Sequence, residues 1–406
     1  MGFQQGLSGL DAASKSLEVT GNNIANSSTV GFKQSRADFA DVFANSLNSS
    51  GSTQAGIGTA VSNVQQLFIQ GNITTTSNSL DIAINGNGFY RMDDNGTISY
   101  TRNGQFQLNK NGNIVNAAGN ILTGYGVNSA GVLATGSPSD LVINTANIPA
   151  SATTSIKNAL NLNASATPIT STFNPTDSTT YTNSSPVTVF DSLGNTHTVT
   201  NFFVKASTAG TWNVYTTIDG SSTPVSTTPF QLTFSNSGAS TGSTTNTVSF
   251  TPSGASGAAT VSINMNFAGS TQYNSAFTNI SLTQNGYTTG QLTGFNTGAD
   301  GTIIGSYSNQ QTQVLGQVAL VNFANPNGLT NLGGNSWAET SASGSPVVGT
   351  PGSGTLGVLQ SNATESSNVD LTTELVNLIT AQRFYQANAQ TIKTQDQVLQ
   401  TLVNLA

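Results

Sequence analysis

Apolar residues recur every three or four positions near both ends of the chain, which is the spacing of one helix face. Near the N-terminus the series is Phe3, Leu7, Leu10, Ala13, Leu17 and Ile24. Near the C-terminus it is Leu371, Leu375, Leu378, Gln382, Tyr385, Ala389, Ile392, Asp396, Leu399 and Val403. The second series alternates steps of four and three, the heptad pattern of a coiled-coil seam. The sequence therefore predicts a helix at each end, the first of them weakened by Gly6, Gly9 and Gly21 because glycine disfavours helix interiors.

The predicted C-terminal helix has a recognisable start. Ser367 or Asn368 is its expected N-cap, and Asp370 and Glu374 place negative charge in its first turns. At about 1.5 Å per residue the helix should be roughly 50 Å long. Because isolated helices are marginal in water, we expect the two helices to pack against each other and against other copies of the chain.

Between the helices the pattern changes to short apolar and polar alternation with turns. Asn95-Gly96, Asn103-Gly104 and Asn111-Gly112 lie eight residues apart. Asn-Gly between alternating segments is typical of hairpin turns, so we predict a β-meander there. Further strands are predicted between residues 187 and 267 and between 286 and 323.

These patterns predict a multidomain α+β fold, with terminal α-helices in a coiled-coil-like inner domain and nested, mainly antiparallel β domains between them. Residues 151–284 carry five charged side chains, and this shift marks a domain inserted into the surrounding one. The predicted domains are residues 1–30 with 365–406 (helical), 31–70 with 341–364 (extended connector), 71–150 with 285–340 (first β domain) and 151–284 (inserted outer β domain).

Composition excludes several functions. Of 406 residues, 10 are basic and 17 acidic, one is His and none is Cys. This 7% charge is far below the roughly 25% of ordinary domains, so the surface is solvated largely by hydroxyl and amide groups. Metal sites built from Cys and His, and thiol chemistry, are excluded. The scarcity of basic residues argues against nucleic-acid binding, and we predict no cofactor.

No motif predicts catalysis, and we expect a protein that is not an enzyme. The G-x-S-x-G match at residues 238–242 lies in a low-complexity loop and not in a strand-to-helix turn. His197 follows Asp191 by six residues, and we interpret it as a surface strand histidine. Asp93 to Gly96 does not fit a calcium loop, because Arg91 would occupy the first ligand position.

The composition is that of an extracellular protein, although the first ten residues do not resemble a secretion signal. They contain no basic segment followed by an apolar run. Nor does the chain contain 18 consecutive apolar residues that could span a membrane. We therefore expect export by a route that does not use a cleaved signal peptide.

Residues near both ends resemble the bacterial flagellar rod and hook axial proteins. The N-terminal match consists of Ser8-Gly9-Leu10, Gly21-Asn22-Asn23-Ile24-Ala25-Asn26 and Val30-Gly31-Phe32-Lys33. The C-terminal match consists of Ser367 to Leu371, Glu374-Leu375-Val376, Ala381-Gln382-Arg383 and Tyr385 to Ala389. Interior segments are similar to the hook members of the family: Arg102 to Phe106, Leu122 to Tyr125, Gln284 to Tyr287, Val314 to Gln317 and Asn322 to Asn325. The resemblance is weakest across 151–284, and this insertion is absent from the shorter rod members.

The resemblance implies a structural subunit of the flagellar hook, a curved tube that acts as a universal joint and transmits torque from rod to filament. It implies terminal helices that form the inner tube, with the β domains outside. Implied partners are other copies of the chain, the rod protein, the hook cap, the hook–filament junction protein and the flagellar type III export apparatus. The alternatives are a distal rod or hook-associated axial protein and, in a different class, a secreted β-rich adhesin.

The resemblance and the helical spacing together predict the residues at subunit contacts. These are Phe3, Leu7, Leu10, Leu17, Ile24, Leu371, Leu375, Leu378, Tyr385, Ile392, Leu399 and Val403. The family signature consists of Asn22, Asn23, Ile24, Ala25, Asn26, Gly31, Phe32, Ala381, Gln382, Arg383 and Tyr385. We expect the termini of the monomer to be disordered, because the partners of the seam would lie on other subunits.

Overall fold

The computed structural model describes residues 2–42, 56–128, 131–134, 136–252 and 257–405. The chain forms two compact units, the first from Met1–Thr145, Gly294–Gly305 and Thr312–Ala406, the second from Ala146–Thr293 and Ser306–Gln311. The four-part division predicted from the sequence is finer and stays a prediction. Residues 43–55 of its connector and 253–256 of its inserted domain lie outside the described residues.

Helices lie near both ends of the chain, and strands occupy the region between them, as the predicted fold class requires. The helices are α1 (Gly2–Ala25) and α2 (Leu371–Leu405). In chain order the strands are β1 (Ser35–Val42), β2 (Gly58–Gln66), β3 (Ile73–Thr75), β4 (Ile82–Asn85), β5 (Phe89–Asp94), β6 (Thr97–Thr101), β7 (Gln107–Leu108), β8 (Ile114–Val115), β9 (Ile121–Gly126), β10 (Ser139–Asp140), β11 (Ser155–Asn161), β12 (Asn183–Phe190), β13 (Thr196–Lys205), β14 (Thr211–Ile218), β15 (Phe230–Phe234), β16 (Ser240–Thr241), β17 (Thr245–Phe250), β18 (Val261–Asn266), β19 (Thr278–Gln284), β20 (Leu292–Thr297), β21 (Thr302–Tyr307), β22 (Thr312–Val318), β23 (Leu320–Asn322), β24 (Thr330–Gly333), β25 (Ser336–Ala338), β26 (Val347–Gly349), β27 (Val358–Ser361) and β28 (Ala363–Glu365).

Helix α2 is capped by Asp370, and the prediction of Ser367 or Asn368 is wrong. Asp370 Oδ1 accepts hydrogen bonds from the backbone N–H groups of Thr372 (2.9 Å) and Thr373 (3.2 Å). Asn368 instead accepts a bond from the Gln34 N–H (2.7 Å). The Asn368 side chain therefore contacts a residue distant in sequence. Capping preferences consider only neighbouring residues and could not predict this contact.

The predicted β-meander is present, with one of its three turns misplaced. Asn95 and Gly96 have positive φ angles of 51° and 94° in the β5–β6 hairpin, and Asn111-Gly112 lies between β7 and β8. Asn103-Gly104 is not a hairpin turn. Gly104 packs so closely against the carbonyl oxygen of Ile82 that no Cβ could be accommodated. Glycine is needed at this position because it lets the two backbone segments approach each other.

The first unit also contains an aromatic core and a hairpin. Edge-to-face contacts connect Phe68, Phe89 and Trp337, with ring centroids 5.4–5.8 Å apart. Strands β1 and β2 pair antiparallel as a hairpin, and the Trp337 indole N–H donates to Gln66 Oε1 (2.6 Å) at its base. This bond links the hairpin to the aromatic core.

The second unit contains two sheets around one core. One sheet has the strand order β12-β13-β14-β15-β16 and is antiparallel. The other has the order β17-β18-β11-β19, with the single pair β11 and β18 parallel. Trp212 and Phe203 from the first sheet share a buried cluster with Ile263 from the second. Alternation of buried and exposed residues along these strands gives each sheet one apolar face.

Candidate assembly surface on the terminal helices

The two helices pack against each other antiparallel along most of α1. Near one end, Asn23 donates to Glu374 Oε2 (3.2 Å); further along, Gly9 faces Asn388 and Gly6 faces Ile392. In this register, the start of α1 lies near residue 395 of the 35-residue α2. The last turns of α2 therefore extend beyond the end of α1.

Of the glycines in α1, Gly6 and Gly9 allow this close approach. A Cβ built on Gly9 would lie 2.7 Å from Asn388 Oδ1, and one on Gly6 would lie 3.0 Å from Ile392 Cγ1. A Cβ on Gly21 would meet nothing within 4 Å. The weakening of the helix by its glycines stays a prediction; at Gly6 and Gly9 the missing side chain also leaves room for Asn388 and Ile392 of α2.

The face of α2 that packs within the chain is rotated from the predicted seam. Its buried or half-buried residues are Glu374, Leu378, Ala381, Asn388, Ala389, Ile392 and Gln395. Only Leu378 and Ile392 belong to the predicted interface set, while Leu371, Leu375 and Leu399 are exposed. The predicted seam was drawn from the apolar repeat alone. The packed face is rotated from it because the polar residues Glu374 and Asn388 also lie on the side that faces α1.

The remaining apolar side chains of the pair form what we call the terminal apolar surface. Its exposed members are Phe3, Leu7, Leu371, Leu375, Val376, Ile379, Phe384, Tyr385, Val398, Leu399 and Val403. Phe384 is 62% and Val403 76% exposed. Leu10, Leu17 and Ile24 of the predicted set are half-buried. Exposed apolar residues at this density mark an interaction surface.

A polar junction joins both helices to β1. The amide of Asn23 donates to the Ser35 carbonyl oxygen (2.8 Å) and accepts from the Ser35 N–H (2.9 Å). Gln34 Nε2 donates to Glu374 Oε1 (2.8 Å). Asn23 and Glu374 are buried, so this network satisfies polar groups that would otherwise be costly to bury. It gives the signature residue Asn23 a structural role.

Other signature residues occupy varied positions. Gly31 has a φ of 73°, and a Cβ there would lie 2.7 Å from the Asn103 nitrogen. Phe32 and Ala381 are buried. Asn26 donates to the Asn22 carbonyl oxygen (3.0 Å) and is half-buried, like Ile24. The signature residues with exposed positions are Asn22, Ala25, Gln382, Arg383 and Tyr385.

Sequence reasoning missed a buried charged cluster beside this surface. Lys33 Nζ lies 2.6 Å from Glu365 Oε1, and Arg102 Nη1 lies 3.7 Å from Glu365 Oε2. Burial, and then the charge of Arg102, lower the pKa of Lys33. Burial also lowers the pKa of Arg102. A signal for this cluster was present in the sequence. Because charged residues are rare in this chain, those close to the helices, such as Lys33 and Glu365, were candidates for a specific role.

The residues considered for catalysis do not form an active site in the described part of the chain. His197 is buried, so its interpretation as a surface histidine is wrong. Its Nδ1 lies 2.7 Å from Asp219 Oδ2 and its Nε2 lies 3.5 Å from Asp191 Oδ2. Residues 238–242 form a turn and strand β16, with no helix following. The described residues include no group of three His, Cys, Asp or Glu arranged to bind a metal.

Neither described helix has the length and apolarity needed to cross a membrane. Terminal helices that pair within the chain yet expose large apolar residues are typical of a protein that assembles with other protein surfaces. The comparisons agree with this class. The chain belongs to the flagellar hook protein family. It is 43% identical to the flagellar hook protein FlgE of Escherichia coli (strain K12) and 45% identical to that of Salmonella typhimurium, each over 100% of both chains. It is 31% identical to that of Borreliella burgdorferi over 98% of both.

Family models match along most of the chain. They are the flagella basal body rod protein (residues 3–33), the flagellar hook protein FlgE/F/G D1 domain (83–163), the flagellar basal body protein FlaE D2 domain (159–287) and the flagellar basal body rod FlgEFG protein C-terminal model (360–405). The crystal structure of Helicobacter pylori flagellar hook protein FlgE2 shares the fold. It has a TM-score of 0.52 at 12% identity and covers 72% of this chain and 100% of its own.

Family membership confirms three predictions from the sequence. The chain resembles the hook proteins, its family is structural and not enzymatic, and it is a component of a flagellar polymeric assembly. Its predicted interface residues stay predictions.

Proposed function

We propose that this chain polymerises into the flexible, curved tube of the hook and acts as a universal joint between rod and filament. The observation that carries the proposal is the terminal apolar surface, where Leu375 and Leu399 are 44% and 50% exposed despite lying on a helix already paired with α1. Burying the exposed half of such a side chain against a neighbouring copy contributes about 1 kcal/mol. A contact between identical chains that does not close on itself generates a helical polymer.

The proposal assigns different tasks to different surfaces. The terminal apolar surface holds subunits in register. The second unit carries five charged residues between 151 and 284. Its surface of short hydroxyl and amide side chains offers few contacts that would lock one register, so neighbouring copies can slide as the tube bends.

The expected partners follow from the proposed position in the flagellum. They are the rod protein at one end, the junction protein and filament at the other, the hook cap during growth, and the flagellar type III apparatus for export without a cleaved signal peptide. The extracellular type of composition supports that route.

Removal of the helices tests the proposal. Full-length protein and a variant lacking residues 1–30 and 367–406 are concentrated under polymerising conditions and imaged by electron microscopy. We expect curved tubes from the full chain and none from the truncated one. Straight, rigid tubes would favour a rod role. Full-length protein that stays monomeric, while truncated protein still binds a surface ligand, would favour an adhesin and refute the proposal.

A second variant distinguishes the role of the terminal apolar surface from the role of the pairing between α1 and α2. Trimming only the end of α2, from residue 396, leaves the contacts of Gly6 and Gly9 with Ile392 and Asn388 in place. We expect this variant to fold normally but to polymerise poorly, because the overhanging Val398, Leu399 and Val403 are lost.

A further inference from the structure

We propose that Lys33, Arg102 and Glu365 are positioning residues that fix the terminal helices and the β1–β2 hairpin against the adjacent β structure of the first unit, and thereby set the shape of the polymer. This inference rests on the proposed function, since polymer shape is what the residues are expected to control. Neither their grouping nor this role follows from the apolar seam.

Glu365 is the centre of the cluster. Its Oε1 accepts bonds from Lys33 Nζ (2.6 Å) and the Gly71 N–H (2.8 Å), and its carbonyl oxygen accepts from the Gly31 N–H (2.8 Å). The side chains of Glu365 and Lys33 are fully buried. Charge-assisted bonds in such surroundings are shorter and stronger than those at the surface.

The cluster joins the segments that connect the helices to the β structure. Residues 31–33 follow α1, residues 69–71 follow the β1–β2 hairpin, and Glu365 precedes α2. Lys33 binds two of these segments at once, because its Nζ also donates to the Ile69 carbonyl oxygen (2.9 Å). All three connections are therefore held at one carboxylate.

Arg102 extends the cluster to the β structure. Its Nη1 lies 3.7 Å from Glu365 Oε2, while its Nη2 donates to the Gly86 carbonyl oxygen (2.8 Å). Its guanidinium carbon lies 5.6 Å from the centre of the Phe89 ring, a cation–π contact with the aromatic core. Arg102 is the member that ties Glu365 to the strands.

The charges of the cluster do not balance, and this makes the carboxylate indispensable. Two cations share one anion, and Tyr90 supplies no second anion because burial raises the pKa of its hydroxyl well above the ordinary value. Removing Glu365 would leave two buried cations without a counter-charge, which is the most costly way to break a buried ion pair. Removing Arg102 leaves the balanced Lys33–Glu365 pair.

The backbone around the cluster leaves little freedom for adjustment. Gly31 packs against the Asn103 backbone, and Asn335 Nδ2 donates to the Val30 carbonyl oxygen (2.9 Å). A change in the direction of the helices relative to this β structure would therefore displace members of the cluster. Since the helices carry the proposed subunit contacts, such a change alters how successive copies are related.

Three variants test the proposal: Glu365→Gln, Arg102→Met and, as control, Arg36→Gln, which removes an exposed ion pair with Asp38. Thermal unfolding is measured on the soluble protein, and the curvature and helical repeat of assembled tubes by electron microscopy. We expect Glu365→Gln to lower Tm by several degrees. Arg102→Met should keep Tm close to that of the unmodified chain but yield tubes with altered curvature or repeat, and Arg36→Gln should change neither.

Arg102→Met decides the question even if Glu365→Gln does not fold. Tubes of Arg102→Met with unchanged curvature and repeat would overturn the positioning role. A Glu365→Gln protein with unchanged Tm and tube shape would overturn it as well. Failure of the unmodified chain to form any tube would instead refute the proposed function, so the two failures are distinguishable.

Discussion

The second unit and the terminal helices treat large apolar side chains in opposite ways. In the second unit, Trp212, Phe203 and Phe267 are 0% exposed between two sheets. On α2, Phe384 and Val403 are largely exposed although the helix already has a partner. The comparison teaches that one region completes its core within the chain, while the other leaves apolar surface for further contacts.

The two regions also differ in how they bury polar groups. Asp191 in the second unit is bound locally, by the N–H groups of Leu193 (2.8 Å) and Asn195 (2.9 Å) in its own turn. In the first unit, Glu365 accepts bonds from Lys33 and Gly71, and Glu374 accepts one from Gln34, each more than 290 positions away. A buried carboxylate that is hydrogen-bonded within its own turn suits a domain that folds by itself. Carboxylates that are hydrogen-bonded by residues distant in sequence hold the two ends of the chain together.

The largest effect is expected in the core of the second unit. Trp212→Ala should lower the free energy of unfolding by about 3–5 kcal/mol, because it removes a fully buried side chain and leaves a cavity. The control Tyr273→Ala, at a side chain 52% exposed in the same unit, should change it by less than about 0.5 kcal/mol. Denaturant unfolding followed by circular dichroism measures both, and equal effects would contradict a closed core.

A smaller effect is expected where the helices approach each other. Gly9→Leu should lower the free energy of unfolding by about 1–3 kcal/mol through overpacking against Asn388. Gly21→Leu is the matched control, since a Cβ at Gly21 meets nothing within 4 Å; it should be neutral or slightly stabilising. If both substitutions stabilise α1 equally in thermal unfolding, the close pairing of the helices is wrong.

His197 provides a test of the second unit that is independent of its apolar core. His197→Ala removes the contacts with Asp219 and Asp191 and should cost about 1–2 kcal/mol, since the buried Asp191 keeps its backbone donors. Chemical denaturation of the variant measures the loss. An unchanged free energy of unfolding would show that this buried polar group contributes nothing.

The smallest effect concerns the cap of α2. Backbone hydrogen bonds from Thr373 and Thr372 lower the pKa of Asp370. A carboxyl whose pKa is lowered on folding stabilises the folded state above its unfolded pKa of about 3.9, and this stabilisation is lost as the pH falls through the lowered folded value. Asp370→Ala should reduce helix content slightly at neutral pH. Circular dichroism of both chains should converge under acid conditions, and a constant difference at all pH values would contradict the cap.

The sequence was sufficient for features that repeat locally. The three- and four-residue spacing located both helices, and Asn95-Gly96 located a hairpin, because each depends on neighbouring residues only. The same reasoning predicted the wrong cap for α2, because Asn368 binds Gln34 instead. It also predicted the wrong environment for His197, because the residue that contacts it, Asp219, follows a different strand.

The terminal apolar surface was only partly predictable for the same reason. The apolar repeat identified Leu375 and Leu399 but could not say which face packs on α1, because Gly9, Asn388 and Glu374 determine the rotation. The described helices pair with each other within the chain, as the helical spacing led us to expect. Disorder of these helices in the monomer stays a prediction. The Lys33–Arg102–Glu365 cluster joins segments too far apart in sequence for any local pattern to indicate.

The central claim is that the exposed apolar face of α2 binds other copies of the chain. The most direct measurement is sedimentation under polymerising conditions of the unmodified chain, of Leu375→Asp with Leu399→Asp, and of the control Gln386→Asp with Gln397→Asp, all at exposed positions of one helix. We expect the unmodified chain and the control to sediment as polymers and the leucine variant to stay soluble with an unchanged Tm. Polymerisation of the leucine variant to the same extent as the control would contradict the claim.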